Sequence, residues 1–148
     1  MRASKKLYQK LQKQYSKRIN LDLKRIKKVL SILHNPQDKL NNVINVIGSD
    51  GKNSFLTSLK YFLEADNKKV NTFTSPHLYD VRSRIWLGNR FISLSEIKRY
   101  KKIIEKTKQR LTLFELLTCV FILAATKTDS NSFNLVEAGL FFKKDSTN

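Results

Sequence analysis

Residues 43–63, VINVIGSDGKNSFLTSLKYFL, change character within a few positions. An apolar, partly β-branched run from Val43 to Ile47 meets Gly-Ser-Asp-Gly-Lys-Asn-Ser, and a helical pattern takes over from Lys52. A strand that hands directly to a helix commits the chain to a crossover and, if repeated, to a parallel sheet with right-handed connections. The turn itself aims backbone N–H groups and a helix N-terminus at one point, the layout of a phosphate-binding loop. Asp50 puts a negative charge there. Two unit charges about 4 Å apart repel by about 4 kcal/mol at an effective dielectric of about 20. On the loop alone, a nucleotide site and an ordinary strand-to-helix turn both remain open.

The pattern repeats. Helical spacing of Leu7, Leu11 and Tyr15 marks a basic amphipathic helix over 3–16. Leu23, Ile26, Leu30 and Leu33 mark a second helix, stopped by Asn35 and Pro36. Val43 to Ile47 is a strand, and 52–65 a helix with Phe55, Leu56, Leu59, Phe62 and Leu63 expected inward. KVNTFT is a second strand, and SPHLYDVRS a loop broken by Pro76. RIWLGNRFIS reads as a hairpin about Gly88-Asn89, followed by a helix over 96–109 capped by Ser95. LTLFELLTCVFILAATK is a mostly buried helix with Thr112 as cap and Glu115 at its third position. SFNLVEAGL is a third strand ending in Glu137.

The expected fold is therefore α/β: a P-loop-type three-layer domain with a partial parallel sheet, a small β-hairpin and an N-terminal helical segment. Residues 1–40 form the basic helical segment and 41–148 the α/β domain. Parallel sheets hold ligands at the carboxyl ends of their strands. The polar stretches 48–54, 74–77 and 137–139 each follow a strand, so they are expected to converge on one edge.

Composition narrows the function classes. With 148 residues and 41% hydrophobic content the chain suits one globular domain. No apolar run approaches the roughly 20 residues of a membrane span, and the start lacks a secretory h-region. Cys119, the single cysteine, lies in an apolar run, which points to burial in a reducing, cytoplasmic setting. The net charge of +17 is densest over 1–28, where Asp22 is the single acidic residue. Such a segment can hold nucleic acid or another polyanion, so a non-enzymatic basic binding module stays open as an alternative. A solvated lysine-rich face is the favoured reading.

The motifs carry a resemblance. GSDGKNS, TSPHL, RI before a short hairpin, LTLFE and EAGLFFKKDSTN occur in that order. The chain resembles the folylpolyglutamate synthase/dihydrofolate synthase family of the Mur ligase superfamily, which shows G-T-N-G-K-G-S, T-S-P-H-L, E-R-I, L-T-x-F-E and E-V-G-L-G-G-R-x-D-A-T-N. The likeness covers about 43–148 and implies that 41–148 is an incomplete Mur-ligase-like ATP-binding domain. It implies an ATP-dependent ligase of folate and one-carbon metabolism that adds glutamate to dihydropteroate or folates through an acyl phosphate.

By position the resemblance implies a nucleotide loop of Gly48, Ser49, Asp50, Gly51, Lys52, Asn53 and Ser54. Ser54, Ser75 and Glu137 match Mg²⁺-binding positions. Thr112, Phe114, Asp145 and Ser146 match positions near the pterin end of the substrate. No catalytic acid or base is assigned, and His77 is read as a structural hydrogen-bonding residue. The departures that bear on the site fall at three places. Asp50 replaces Asn, Asn53 replaces a Gly that a positive φ would favour, and Phe141-Phe142 replace Gly-Gly. Complete relatives continue well beyond the DSTN match, so a truncated or divergent form is expected, with a second polypeptide as one source of the remainder.

Overall fold

The computed structural model describes residues 2–15, 22–77, 80–139 and 145–147. Helices α1 (Arg2–Gln14) and α2 (Lys24–Ile32) precede strand β1 (Val43–Val46) and helix α3 (Lys52–Ala65). Strand β2 (Val70–Phe73) leads into the hairpin β3 (Ile85–Leu87) and β4 (Arg90–Phe91), then α4 (Leu94–Glu105), α5 (Leu113–Ala125) and β5 (Phe133–Glu137).

One sheet runs in the order β1-β5-β2-β3-β4. β5 lies parallel between β1 and β2, with Val46 opposite Glu137 and Phe73 opposite Val136. The hairpin is part of the same sheet, since β3 pairs antiparallel with β2. The sheet is thus parallel at one end and antiparallel at the other, and its outer strands are β1 and β4.

Side-chain alternation builds the three layers. Val46, Val70 and Leu135 bury one face of the sheet against Leu56 of α3, with Leu59, Leu63, Ile44 and Phe133 around them. Phe73 and Val136 point the other way, into a larger cluster with α5, α4, α2 and α1. Leu7, Leu11, Ile26 and Val29 belong to that cluster, so the N-terminal helices cover the same core. Arg25 also reaches Glu115 Oε1 at 3.0 Å, tying α2 to the first turn of α5. At the amino ends of the strands, Asn71 Nδ2 donates to Asn134 Oδ1 at 2.9 Å, and Asn134 Nδ2 to the Asn41 carbonyl at 2.7 Å.

The structure corrects two local expectations. Phe55 and Phe62 are 59% and 75% exposed, so α3 buries Leu56 and half-buries Leu59 and Leu63 instead. Only one face of α3 has a sheet to meet, and the two phenylalanines fall outside that arc. The cap of α4 is Ser93, not Ser95, and the helix runs Leu94–Glu105. Ser93 wins because Glu96 stands three residues later. The Ser93 hydroxyl accepts the Glu96 N–H at 3.1 Å, and Glu96 accepts the Ser93 N–H at 2.9 Å. The same box forms at α5 with Thr112 and Glu115, as the sequence indicated. Within 75–84 the chain also makes a short 3₁₀ turn, Val81–Arg84, capped by Asp80. Among the described residues no helix is long and apolar enough to cross a membrane.

Candidate functional site

The carboxyl ends of β1, β2 and β5 lie side by side, and the three polar segments begin there. The Ala138 N–H donates to the Val46 carbonyl at 3.0 Å, which sets the end of β5 beside the start of the glycine loop. The Ser75 N–H donates to Glu137 Oε2 at 2.9 Å, which sets the loop after β2 beside the same residue. Glu137 is 4% exposed. A carboxylate so deeply placed needs such partners, because burying it unpaired is costly.

The glycine loop ends in a bare helix terminus. Gly51, with φ of 72°, is the N-cap residue of α3 and supplies no side-chain hydrogen bond. Its backbone conformation is one that glycine adopts without strain. The first N–H groups of α3 are therefore left for a ligand, where the helix dipole favours an anion. Lys52 Nζ bends back onto the loop, donating to the Gly48 and Ser49 carbonyls at 2.8 and 3.2 Å. Asn53 lies in the helix, so the position needs no positive φ. Asp50 and Ser54 are exposed.

As hard oxygen donors, Ser75 and Glu137 suit Mg²⁺. A single carboxylate with one serine nearby would suit an ion held largely by water and phosphate rather than by a protein cage. Among the described residues no group of three or more His, Cys, Asp or Glu gathers as a metal cage. Ser54 stands on the first turn of α3, and no contact joins it to Ser75 or Glu137.

A second group of side chains gathers at the N-terminus of α5, on the other face of the sheet. Phe114 packs on Phe73 with ring centroids 5.7 Å apart. A Cβ added to Gly139 would stand 2.9 Å from Asp145 Oδ2 and 3.2 Å from the Phe114 ring. Asp145 and Phe114 thus meet over the bare Gly139 backbone. Asp145 Oδ1 also accepts the Thr147 N–H at 3.0 Å and its hydroxyl at 2.6 Å. The Ser146 and Thr118 hydroxyls are 3.3 Å apart. Thr112 caps the helix that carries Phe114. Phe141, Phe142, Lys143 and Lys144 lie outside the described residues.

Sequence reading placed Arg84 in the RI motif but gave it no role. It is 8% exposed, and its Nε donates to His77 Nδ1 at 3.1 Å. Burial lowers the Arg84 pKa from its usual value, while Tyr8 and Glu137 work against that shift. Burial and the Arg84 charge hold His77 below the ordinary histidine range, so its imidazole is neutral at pH 7. The ring of Tyr8, from α1, meets His77 edge-on at 4.4 Å. The available signal was the RI motif itself, an arginine directly ahead of an apolar strand. Gly139 lay in the expected 137–139 stretch, but its close approach to Asp145 has no trace in local sequence.

The comparisons agree with this architecture. No protein-family model matches the chain. Dihydrofolate synthetase of Saccharomyces cerevisiae is 33% identical over 134 residues, covering 88% of this chain and 31% of the relative. The E. coli FolC structure in complex with DHPP and ADP superposes with a TM-score of 0.85 at 26% identity, over 97% of this chain and 34% of that one. The Yersinia pestis bifunctional folylpolyglutamate synthase/dihydrofolate synthase complexed with AMPPNP and Mn gives 0.83 at 25% identity, over 97% and 35%. The chain spans about a third of the length of the relatives it matches. The curated homologues and structural neighbours of this chain are thus folylpolyglutamate and dihydrofolate synthases, which it matches over a stretch about a third of their length.

Proposed function

We propose that this chain forms the nucleotide-phosphate and acceptor side of an ATP-dependent ligase that adds glutamate to dihydropteroate or folates through an acyl phosphate. The observation that carries the reading is the meeting of the glycine loop, Ser75 and Glu137 at one rim. Neighbours of the same fold hold ADP with DHPP, and AMPPNP with Mn, in the complexes named above.

In this reading the N–H groups of Gly48, Ser49, Asp50, Gly51 and Asn53 cradle the phosphates. Lys52 exchanges its two loop carbonyls for phosphate oxygens. Ser54, Ser75 and Glu137 hold Mg²⁺, which supplies charge neutralisation of the phosphates when bound. The backbone N–H of Ser75 bonds to Glu137, which holds the loop after β2 beside the carboxylate. Phe114 covers the flat end of the acceptor, with Asp145 and Ser146 as polar contacts and Thr112 setting the helix start. Phosphoryl transfer to the acceptor carboxylate then depends on positioning more than on an acid or base.

A second polypeptide fits the exposed flank. β1 is an outer strand of the sheet, and Val43, Ile47, Phe55 and Phe62 are exposed beside it. Unpaired strand edges flanked by apolar side chains invite another strand. Buried Cys119 fits a reducing, cytoplasmic setting.

The test is glutamate-dependent ADP release from Mg·ATP with dihydropteroate or tetrahydrofolate, for the chain alone and with a polypeptide supplying the remaining length of the family. The expected result is release that requires glutamate and the acceptor and that is lost in Lys52→Ala. ADP release indifferent to both substrates would contradict the assignment.

A further inference from the structure

The glycine loop carries one charge of each sign: among residues 48–54, Asp50 is the anion and Lys52 the cation. The two are placed differently. Lys52 Nζ is taken up by the Gly48 and Ser49 carbonyls at 2.8 and 3.2 Å. Asp50 is exposed, and its carboxylate makes no hydrogen bond or ion pair among the described residues. It stands immediately before Gly51, the N-cap of α3, which gives the helix no side-chain hydrogen bond. A Cβ built on Gly48 would lie 3.7 Å from the Asp50 carbonyl and 3.7 Å from Lys52 Cγ, so the three residues share one tight turn. The Asp50 backbone is thus held beside any anion that the helix terminus accepts.

Distance decides whether the charge is felt there. With ordinary bond lengths, any rotamer of Asp50 keeps its carboxylate within about 8 Å of a phosphate on the first N–H groups of α3. That is about one Debye length at physiological salt, so the repulsion is partly screened and not abolished. It grows in proportion to the charge on the ligand. Near neutral pH a free nucleoside diphosphate carries about three negative charges and its Mg²⁺ complex about one, so the free form is repelled about three times as strongly. The neutral Asn of the related motif draws no such distinction. Lys52 is offset by Asp50 within the loop, which leaves charge neutralisation of the phosphates to the metal.

We propose that Asp50 is a specificity-determining residue that makes the glycine loop select metal-bound over metal-free nucleotide phosphate. The proposal rests on the nucleotide reading of this loop and adds a charge preference to it, without giving Asp50 a place among the metal ligands.

ADP with EDTA and ADP with excess Mg²⁺ are titrated calorimetrically into the parent, Asp50→Asn and Asp66→Asn. Asp66, the C-cap residue of α3, lies about 21 Å along the helix from its start, so its neutralisation controls for net charge alone. Asp50→Asn is expected to tighten free ADP about tenfold and Mg·ADP about twofold, since tenfold spread over three charges is about twofold per charge. Asp66→Asn is expected to leave the ratio of the two affinities as in the parent. Added NaCl is expected to shrink the gain for free ADP. Equal changes for the two forms, no change in either, or the same ratio shift in Asp66→Asn overturns the proposal and leaves the nucleotide reading standing. Weaker Mg·ADP binding in Asp50→Asn also overturns it, by making Asp50 a metal ligand. Absence of Mg·ADP binding by the parent removes the nucleotide reading and this proposal together.

Discussion

The backbone N–H of Ser75 donates to Glu137 Oε2 at 2.9 Å, joining the loop after β2 to the last residue of β5. Glu137→Gln keeps an oxygen for that bond and removes the charge. The fold is expected to survive, with an unchanged cooperative melt. Mn²⁺ binding in the presence of nucleotide, followed by electron paramagnetic resonance, is expected to weaken by about tenfold or more. Equal Mn²⁺ affinity in the two proteins would remove Glu137 from the metal site.

Arg84 and His77 give a pH dependence with a defined sign. The His77 pKa lies below its unfolded value of about 6.5. Above that value both states hold neutral imidazole and the Arg84 bond is intact. As pH falls from about 6.5 through the lowered folded value, the unfolded chain takes up the proton first and stability drops. His77→Gln keeps an acceptor without titrating. Denaturant midpoints over this range are expected to fall with pH for the parent and to fall less for the variant.

Ser93, the cap of α4, and Ser95, inside the helix, separate cleanly. Ser93→Ala is expected to cost about 1 kcal/mol of stability, since it removes the acceptor for the Glu96 N–H. Ser95→Ala should fall within about 0.5 kcal/mol of the parent. Acid should repeat the first effect. The Arg90 partner, with help from Ser93, holds the Glu96 pKa at about 2. Its contribution is present above the usual carboxylate value and is lost as pH falls through about 2. Urea melts of the three proteins at neutral pH and in acid provide the check.

Gly139→Ala introduces a methyl 2.9 Å from Asp145 Oδ2 and 3.2 Å from the Phe114 ring. Overpacking of this kind costs about 1–3 kcal/mol, and the gathering of Phe114 with Asp145 is expected to loosen. Differential scanning calorimetry is expected to show the loss. Retention of full stability would mean that the two side chains do not close over Gly139.

Elements were more legible than faces. The bounds of α3 coincide with the expected 52–65, because a Gly-containing loop and a periodic apolar pattern mark its start together. Which side of α3 meets the sheet was not legible. Phe55 and Phe62 satisfy the periodicity as well as Leu59 and Leu63 do, and the choice depends on where β1 and β5 lie. The rim was legible for a topological reason. Three polar stretches at strand ends must share an edge once the strands are parallel. The setting of Arg84 was not legible, because it arises from antiparallel pairing of β3 with β2, which brings the Thr74 N–H onto the Arg84 carbonyl.

The central claim is that the glycine loop, Ser75 and Glu137 form one Mg²⁺-nucleotide site. Isothermal titration of ATP into the chain, with Mg²⁺ and then with EDTA, measures it directly. The account predicts saturable binding that weakens about tenfold or more both on Mg²⁺ removal and in Lys52→Ala. Absence of saturable binding, or an affinity untouched by both changes, would contradict it.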